Sequence, residues 1–268
     1  MTRMPPYQDL LTLIEERATA FREAVAVADP VARIPGCPDW TVRDLVTHLG
    51  GVHRFWAATV AAGPADGSPP AEAVDGSPPA EAVGGAPSAE AVGGGDPHGD
   101  LLEWSAESTR LLLDALRVAP PDQGCWTWWE ASGAPMTAGA VARHQVQEAA
   151  VHAYDAQEAA GKAEPVPAAI AVDAIAEFLE VGLGSVGAWP HRPARIALSA
   201  VEGPTWLLDL TPAGAKANPA PSGEPVATIR ASASDLLLFL YRRIGAEAVT
   251  VTGDRSVVDD LIAWPHSS

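Results

Sequence analysis

The chain has 268 residues, 47% of them hydrophobic and 19% charged, with a formal net charge of -17. That length and apolar content suffice for one large or two modest globular domains, and so acidic a surface repels phosphate polymers and anionic bilayers, which argues against nucleic acid and membrane as partners. No leader-like start and no apolar run of about 18 residues is present, and Cys37 and Cys125 form neither a framework nor a CxxC pair, so a soluble cytoplasmic protein without a structural disulfide is expected.

Abundant alanine, glycine and proline with little lysine is associated with GC-rich bacterial genomes, actinobacterial ones among them. In chain order, Leu10, Ile14, Phe21 and Val25 fall at helical spacing within residues 7–28 and Pro30 closes the pattern, which predicts a first amphipathic helix. A turn through Pro35-Gly36-Cys37-Pro38-Asp39-Trp40 follows. Thr41-Val42-Arg43-Asp44 then has capping-box spacing, so a second helix is expected over residues 42–60. Leu45, His48, Val52 and Phe55/Trp56 step along it by threes and fours, which puts His48 on the inward face and His53 off it. Residues 67–95 repeat a Gly-Ser-Pro-Pro-Ala-Glu-Ala-Val-Asp-like unit too poor in large apolar groups to bury a core, and 64–98 is read as a flexible surface loop expanded by duplication.

Helical spacing resumes with Leu101, Trp104, Ser108, Leu111, Leu112 and Leu116 and closes near Pro120. The aromatic connection Cys125-Trp126-Thr127-Trp128-Trp129-Glu130 either caps a core or lines a pocket for an organic ligand. A fourth helix runs from Thr137 to Gly161 as its stop. Four helices joined by loops predict an antiparallel four-helix bundle over residues 1–165. Beyond Pro165-Val166-Pro167 a helix at 167–184, strands at 195–199, 205–210 and 226–230, a helix at 233–243, a strand at 249–252 and a last short helix predict a smaller α+β domain over 166–268. The fold class expected is therefore α followed by α+β.

Glu148 and His152 lie one turn apart on the fourth helix, so one face carries two metal-competent side chains. Spacing alone leaves this pair open between a hydrogen bond and shared ligation. The inward His48 is the candidate third ligand, since a metal would satisfy both it and a buried carboxylate that is costly without a partner. A His2Glu set suits zinc with the fourth position open, and accepts Fe, Ni or Co as well. His144 is about 12 Å along the axis from His152 and cannot share an ion with it; it could pair with Glu148 instead, and a pocket-lining, supporting or exposed role is favoured over that.

Pro35-Gly36-Cys37-Pro38-Asp39-Trp40-Thr41-Val42-Arg43-Asp44-Leu45-Val46-Thr47-His48-Leu49-Gly50-Gly51 resembles the opening motif of the mycothiol-dependent maleylpyruvate isomerase family, within the DinB-like helical superfamily. Glu148 to Ala156, followed by Ala159-Ala160-Gly161, is similar to that family's second motif, and Asp235 to Arg243 with Val251-Thr252-Gly253-Asp254 resembles its sterol-carrier-like second domain. The resemblance implies that His48, Glu148 and His152 hold a divalent ion, normally zinc, and that mycothiol is the thiol cosubstrate. It implies further that the metal-bound thiolate attacks a small electrophile, giving cis–trans isomerisation of a maleylpyruvate-like substrate or S-transfer. Arg243 resembles the arginine that the second domain brings to the cleft as an anion cradle and is the catalytic candidate. Trp126, Trp128, His144 and Asp155 are the candidates for cosubstrate contacts. Relatives often show paired arginines where this chain has Arg143-His144, which weakens the anionic substrate more than the metal. Two further readings stand beside this one: a zinc hydrolase with Asp155 or His144 as base, and a non-catalytic metal and apolar-ligand binder with Trp126, Trp128 and Trp129 as its wall. The oligomeric state expected is monomer or homodimer.

Overall fold

A computed structural model describes residues 5–64, 99–218 and 223–264. The repeat at 67–95 lies outside them. The fold is mixed, helices first and then helices with a sheet. Helix α1 (Tyr7–Val25) is followed by a hairpin of β1 (Arg33–Ile34) and β2 (Cys37–Thr41), then α2 (Val42–Ala62), α3 (Leu101–Val118) and α4 (Ala138–Ala159). Helix α1 packs on α4 and α3, and α2 packs on α3 and α4. The capping box is present: Asp44 N–H donates to Thr41 Oγ1 at 3.2 Å and Thr41 N–H to Asp44 Oδ2 at 2.8 Å. Helix α4 starts on a Thr137 cap and stops at Gly161, whose positive φ of 71° suits a residue without Cβ.

The hairpin replaces what the sequence suggested was only a turn. Pro35-Gly36 makes the bend, Ile34 pairs with Cys37, and Ile34, Cys37 and Trp40 bury themselves against the start of α2. Polar residues alternate too irregularly here for a strand pattern to show.

Beyond α4 come α5 (Ala168–Glu177), a π turn over Phe178–Gly182 and a short α6 (Leu183–Ser185), where the sequence suggested one continuous helix. Strands β3 (Ala194–Ala200), β4 (Thr205–Thr211), β5 (Gly214–Asn218), β6 (Ala227–Ala231) and β7 (Thr250–Gly253) form a sheet in the order β5-β4-β3-β6-β7, with α7 (Ala233–Leu240) and α8 (Arg255–Ala263) flanking β7 in sequence. Among the described residues only the β3–β6 pairing is parallel. Strand β5 was not expected, because Gly214-Ala215-Lys216-Ala217 carries no β-branched residue; its pairing with β4 across a tight turn makes the strand. Helix α7 ends three residues before the expected Arg243, with Arg242 left-handed beyond it.

One apolar cluster joins the two halves, running from Trp56, Leu112 and Val141 through Ile170 and Phe178 to Leu208, Ile229 and Leu236. The segment at Pro165-Val166-Pro167 is docked, with Val166 N–H donating to Ser234 Oγ at 2.9 Å. Among the described residues no helix is long and apolar enough to cross a membrane.

Candidate metal centre

Helix α4 is buried on nearly every side from Ala138 to Ala156, as befits a helix wrapped by α1, α2 and α5. Its polar residues therefore need partners, and those they find define the site. Glu148 Oε1 lies 2.9 Å from His152 Nε2 and 3.2 Å from Nε2 of His48, which α2 carries on its inward face. One ligand atom from each residue falls within 4.8 Å of the other two, and all three residues are buried.

The arrangement asks for positive charge. His152 Nδ1 lies 2.9 Å from Asp155 Oδ2; with that nitrogen donating, Nε2 of a neutral ring directs a lone pair at a carboxylate oxygen, and only a proton or a metal ion between them removes the repulsion. Burial by itself would lower the pKa of His152, but Glu148 and Asp155 hold it up at about 10. Burial likewise works against the Glu148 carboxylate, yet His152 and His48 keep it well below the usual range. Two imidazoles and a carboxylate converging on one point are a donor set that fits a divalent ion.

Asp155 orients His152 and is itself held. Arg243 donates from Nε to Oδ1 and from Nη2 to Oδ2, each at 2.9 Å, and from Nη1 to the Tyr241 carbonyl at 2.9 Å. Opposing its burial, Arg243 and His152 hold the Asp155 carboxyl down at about 2. Arg243 is thus a mostly enclosed partner of α4 rather than a solvated residue at a helix end. Gly36 in the hairpin bend passes over its stem, where a Cβ would stand 2.7 Å from Arg243 Cδ. The Trp40 ring covers His48 and His152, with centroids 4.7 and 6.2 Å away.

The other residues singled out from sequence form a second cluster. His144, one turn before Glu148, has Nδ1 2.9 Å from Glu177 Oε1 and a ring surrounded by Trp129, Trp128 and Trp56 at 5.3, 5.7 and 6.3 Å. Trp126 stacks on Trp56 at 6.3 Å. Arg143 is held by Asp173 through Nε–Oδ2 at 2.9 Å and Nη2–Oδ1 at 3.0 Å. The structure thus brings Asp155 and Arg243 to the metal trio, and sets His144, Trp126 and Trp128 in an aromatic box farther along α4. Sequence reasoning missed Trp40, Glu177 and the burial of His53. A signal existed for Trp40, which falls eight residues before His48 in the same motif, and none for Glu177, which belongs to another segment.

The chain matches the model of the mycothiol maleylpyruvate isomerase N-terminal domain over residues 11–157 and that of the family's C-terminal domain over residues 169–260. No curated protein matches it. Crystal structures of a mutant of the mycothiol-dependent maleylpyruvate isomerase and of the same isomerase share its fold, with TM-scores of 0.62 and 0.59 at 16% and 17% identity. Each comparison covers 93% of this chain and 95% of the other. Identity so low bears on fold alone. The two domain matches, in the order and nearly the extent of the whole chain, place it in the mycothiol maleylpyruvate isomerase family.

Proposed function

We propose that this protein is a metal-dependent, mycothiol-using enzyme in which a bound thiolate attacks a small electrophile, with cis–trans isomerisation or S-transfer as the outcome. The observation that carries the reading is the buried trio His48, Glu148 and His152, braced behind by Asp155 and Arg243. A divalent ion held there, zinc by the chemistry of its donors, supplies the charge that keeps a thiol deprotonated at neutral pH. Family membership supports mycothiol as that thiol. We read α1 to α4 as an antiparallel DinB-type bundle, residues 1–165 as the ligand-bearing unit and 166–268 as the α+β unit that closes the site.

The chain's own groups have separable tasks. His48, Glu148 and His152 hold the ion; Asp155 fixes the His152 tautomer, as carboxylates behind metal-ligating histidines do. Arg243 keeps Asp155 ionised and in place, which makes it a positioning residue. Trp126, Trp128 and His144 line the aromatic box offered to the organic part of the cosubstrate. Elemental analysis of the purified protein, paired with an assay on maleylpyruvate with and without mycothiol, tests the reading. One equivalent of metal and turnover that needs both metal and thiol are expected, and His48→Ala should lose the metal. Turnover without thiol would instead favour a hydrolase.

A further inference from the structure

Two things keep an imidazole ready to bind an ion: a partner on its second nitrogen, and a neighbour that stops the ring from turning. Asp155 supplies the first for His152. The neighbour is an indole. The Trp40 ring lies 4.7 Å from the His48 ring at an interplanar angle of 47°, and 6.2 Å from the His152 ring at 31°. The two imidazoles themselves stand 5.0 Å apart and nearly perpendicular, at 78°. One side chain therefore bears on both nitrogen ligands, which come from different helices, at the separations of aromatic rings in contact.

The chain holds this indole firmly. Trp40 is the last but one residue of β2, is 5% exposed, and belongs to the apolar cluster of Phe21, Leu45, Leu49 and Ala156. The backbone on either side is fixed: Arg33 Nη1 donates to the Asp39 carbonyl at 2.9 Å, Thr41 closes the capping box, and Val42 N–H donates to the Ala32 carbonyl at 3.0 Å. At its bend the same hairpin lays Gly36 over the Arg243 stem. The hairpin thus covers both ends of the line from His152 through Asp155 to Arg243. Packing alone would be served here by any large apolar side chain; contact with both ligand rings is what singles out a flat one.

We propose that Trp40 is a positioning residue for the ion, one that holds the His48 and His152 rings in their binding orientation before the ion arrives and closes that side of the site to water. This rests on the metal reading of the trio and deepens it. Preorganised groups lose less freedom on binding, and an apolar shell around a metal site limits solvent access. An ion kept from extra water retains one open position for the thiol. With less screening, its attraction for the thiolate is also stronger.

The test is made on the full-length protein, stripped of metal, with two measurements: zinc affinity in competition with a chromophoric chelator, and the visible absorption of the cobalt-saturated form. Cobalt absorbs strongly when tetrahedral and weakly when added water makes it octahedral, so at saturation the second measurement reads the ion's surroundings whatever the affinity. Trp40→Leu should weaken zinc binding roughly tenfold to a hundredfold and dim the cobalt bands. Trp40→Phe, nearer leucine than tryptophan in volume but flat, should restore most of both. Zinc binding as tight in Trp40→Leu as in the wild type, cobalt bands of unchanged intensity at saturation, or a Trp40→Phe variant as weak as Trp40→Leu overturns the proposal. Should Trp40→Leu fail to fold, Trp40→Met is read in the same way. A wild-type protein that takes up neither ion refutes the metal reading and this proposal with it, and because that shows before any substitution is made, the two failures are told apart.

Discussion

His53 occupies the helical interior near the metal trio without joining it. The Thr109 hydroxyl donates to the Ser105 carbonyl at 3.1 Å and so accepts from His53 Nδ1, 3.2 Å away. Burial, opposed by Glu148, pushes the pKa of His53 down to about 3, and the ring is neutral at physiological pH. An unfolded histidine titrates near ~6.5, so between the two values the unfolded chain binds a proton that the native one refuses, and stability falls by up to about 1.4 kcal/mol for each pH unit below ~6.5. Urea unfolding at pH 6.5 and 5 (conditions set by about those pKa values) should show that fall in the wild type and a smaller one in His53→Gln; equal slopes would show that His53 is not its source. Burial also raises both cysteine thiols to about 11, so neither Cys37 nor Cys125 should react with a disulfide reagent at neutral pH before unfolding. The metal trio was legible from residue type and spacing, since His48 falls on an apolar face and Glu148 and His152 lie one turn apart. Asp155, three residues beyond His152, was within reach of the same reasoning. That Arg243 grips Asp155 across 88 residues of chain was not, because such a pair is set by how the halves pack and leaves no periodicity behind.

Helix α7 ends in a left-handed turn. Arg243 N–H donates to the Leu238 carbonyl at 2.8 Å and Arg242 N–H to Phe239 at 2.9 Å, the paired bonds of a Schellman stop with Arg242 at the left-handed position. Arg242 is the non-glycine residue with positive φ, 58°, among the described residues. A left-handed arginine costs about 1–2 kcal/mol, and here the turn swings Arg243 out of the helix toward Asp155. The apolar run suggested helix through residue 243, because propensity takes no account of a tertiary partner that draws the last residue away. The α2–α3 seam shows the opposite case, a sequence feature whose reason only packing reveals: a Cβ on Gly50 would stand 1.9 Å from Trp104 Cζ3. Gly50→Ala should therefore force the helices apart and destabilise by about 1–3 kcal/mol, measured by chemical unfolding. A variant as stable as wild type would mean that Trp104 has room to move.

For the whole molecule, four pairs among the described residues tie α4 to the second half: Arg143 with Asp173 and with Glu180, His144 with Glu177, and Asp155 with Arg243. The element order and the change from helices to mixed structure were legible in the sequence, while this binding of the halves was not. Arg243→Ala leaves the Asp155 carboxylate buried without its cation, so a loss of about 3–5 kcal/mol in unfolding free energy is expected, together with weaker metal binding by titration. Removal of residues 67–95 should do neither. Helices α2 and α3 pack against each other, and residues 63–66 with 96–100 remain to join them; loss of folding on deletion would show that the repeat contributes to the core.

With the proposed ion held by His48, Glu148 and His152, the link from His152 through Asp155 to Arg243 would make the second half, which carries none of those three residues, a participant in metal affinity. By reciprocity, whatever factor docking of residues 166–268 adds to ion binding, the bound ion returns to docking. An isolated segment of residues 1–165 would then hold its ion more weakly than the full chain does, and chelating the full chain would loosen its C-terminal half, an effect that amide exchange along β3, β6 and α7 can follow.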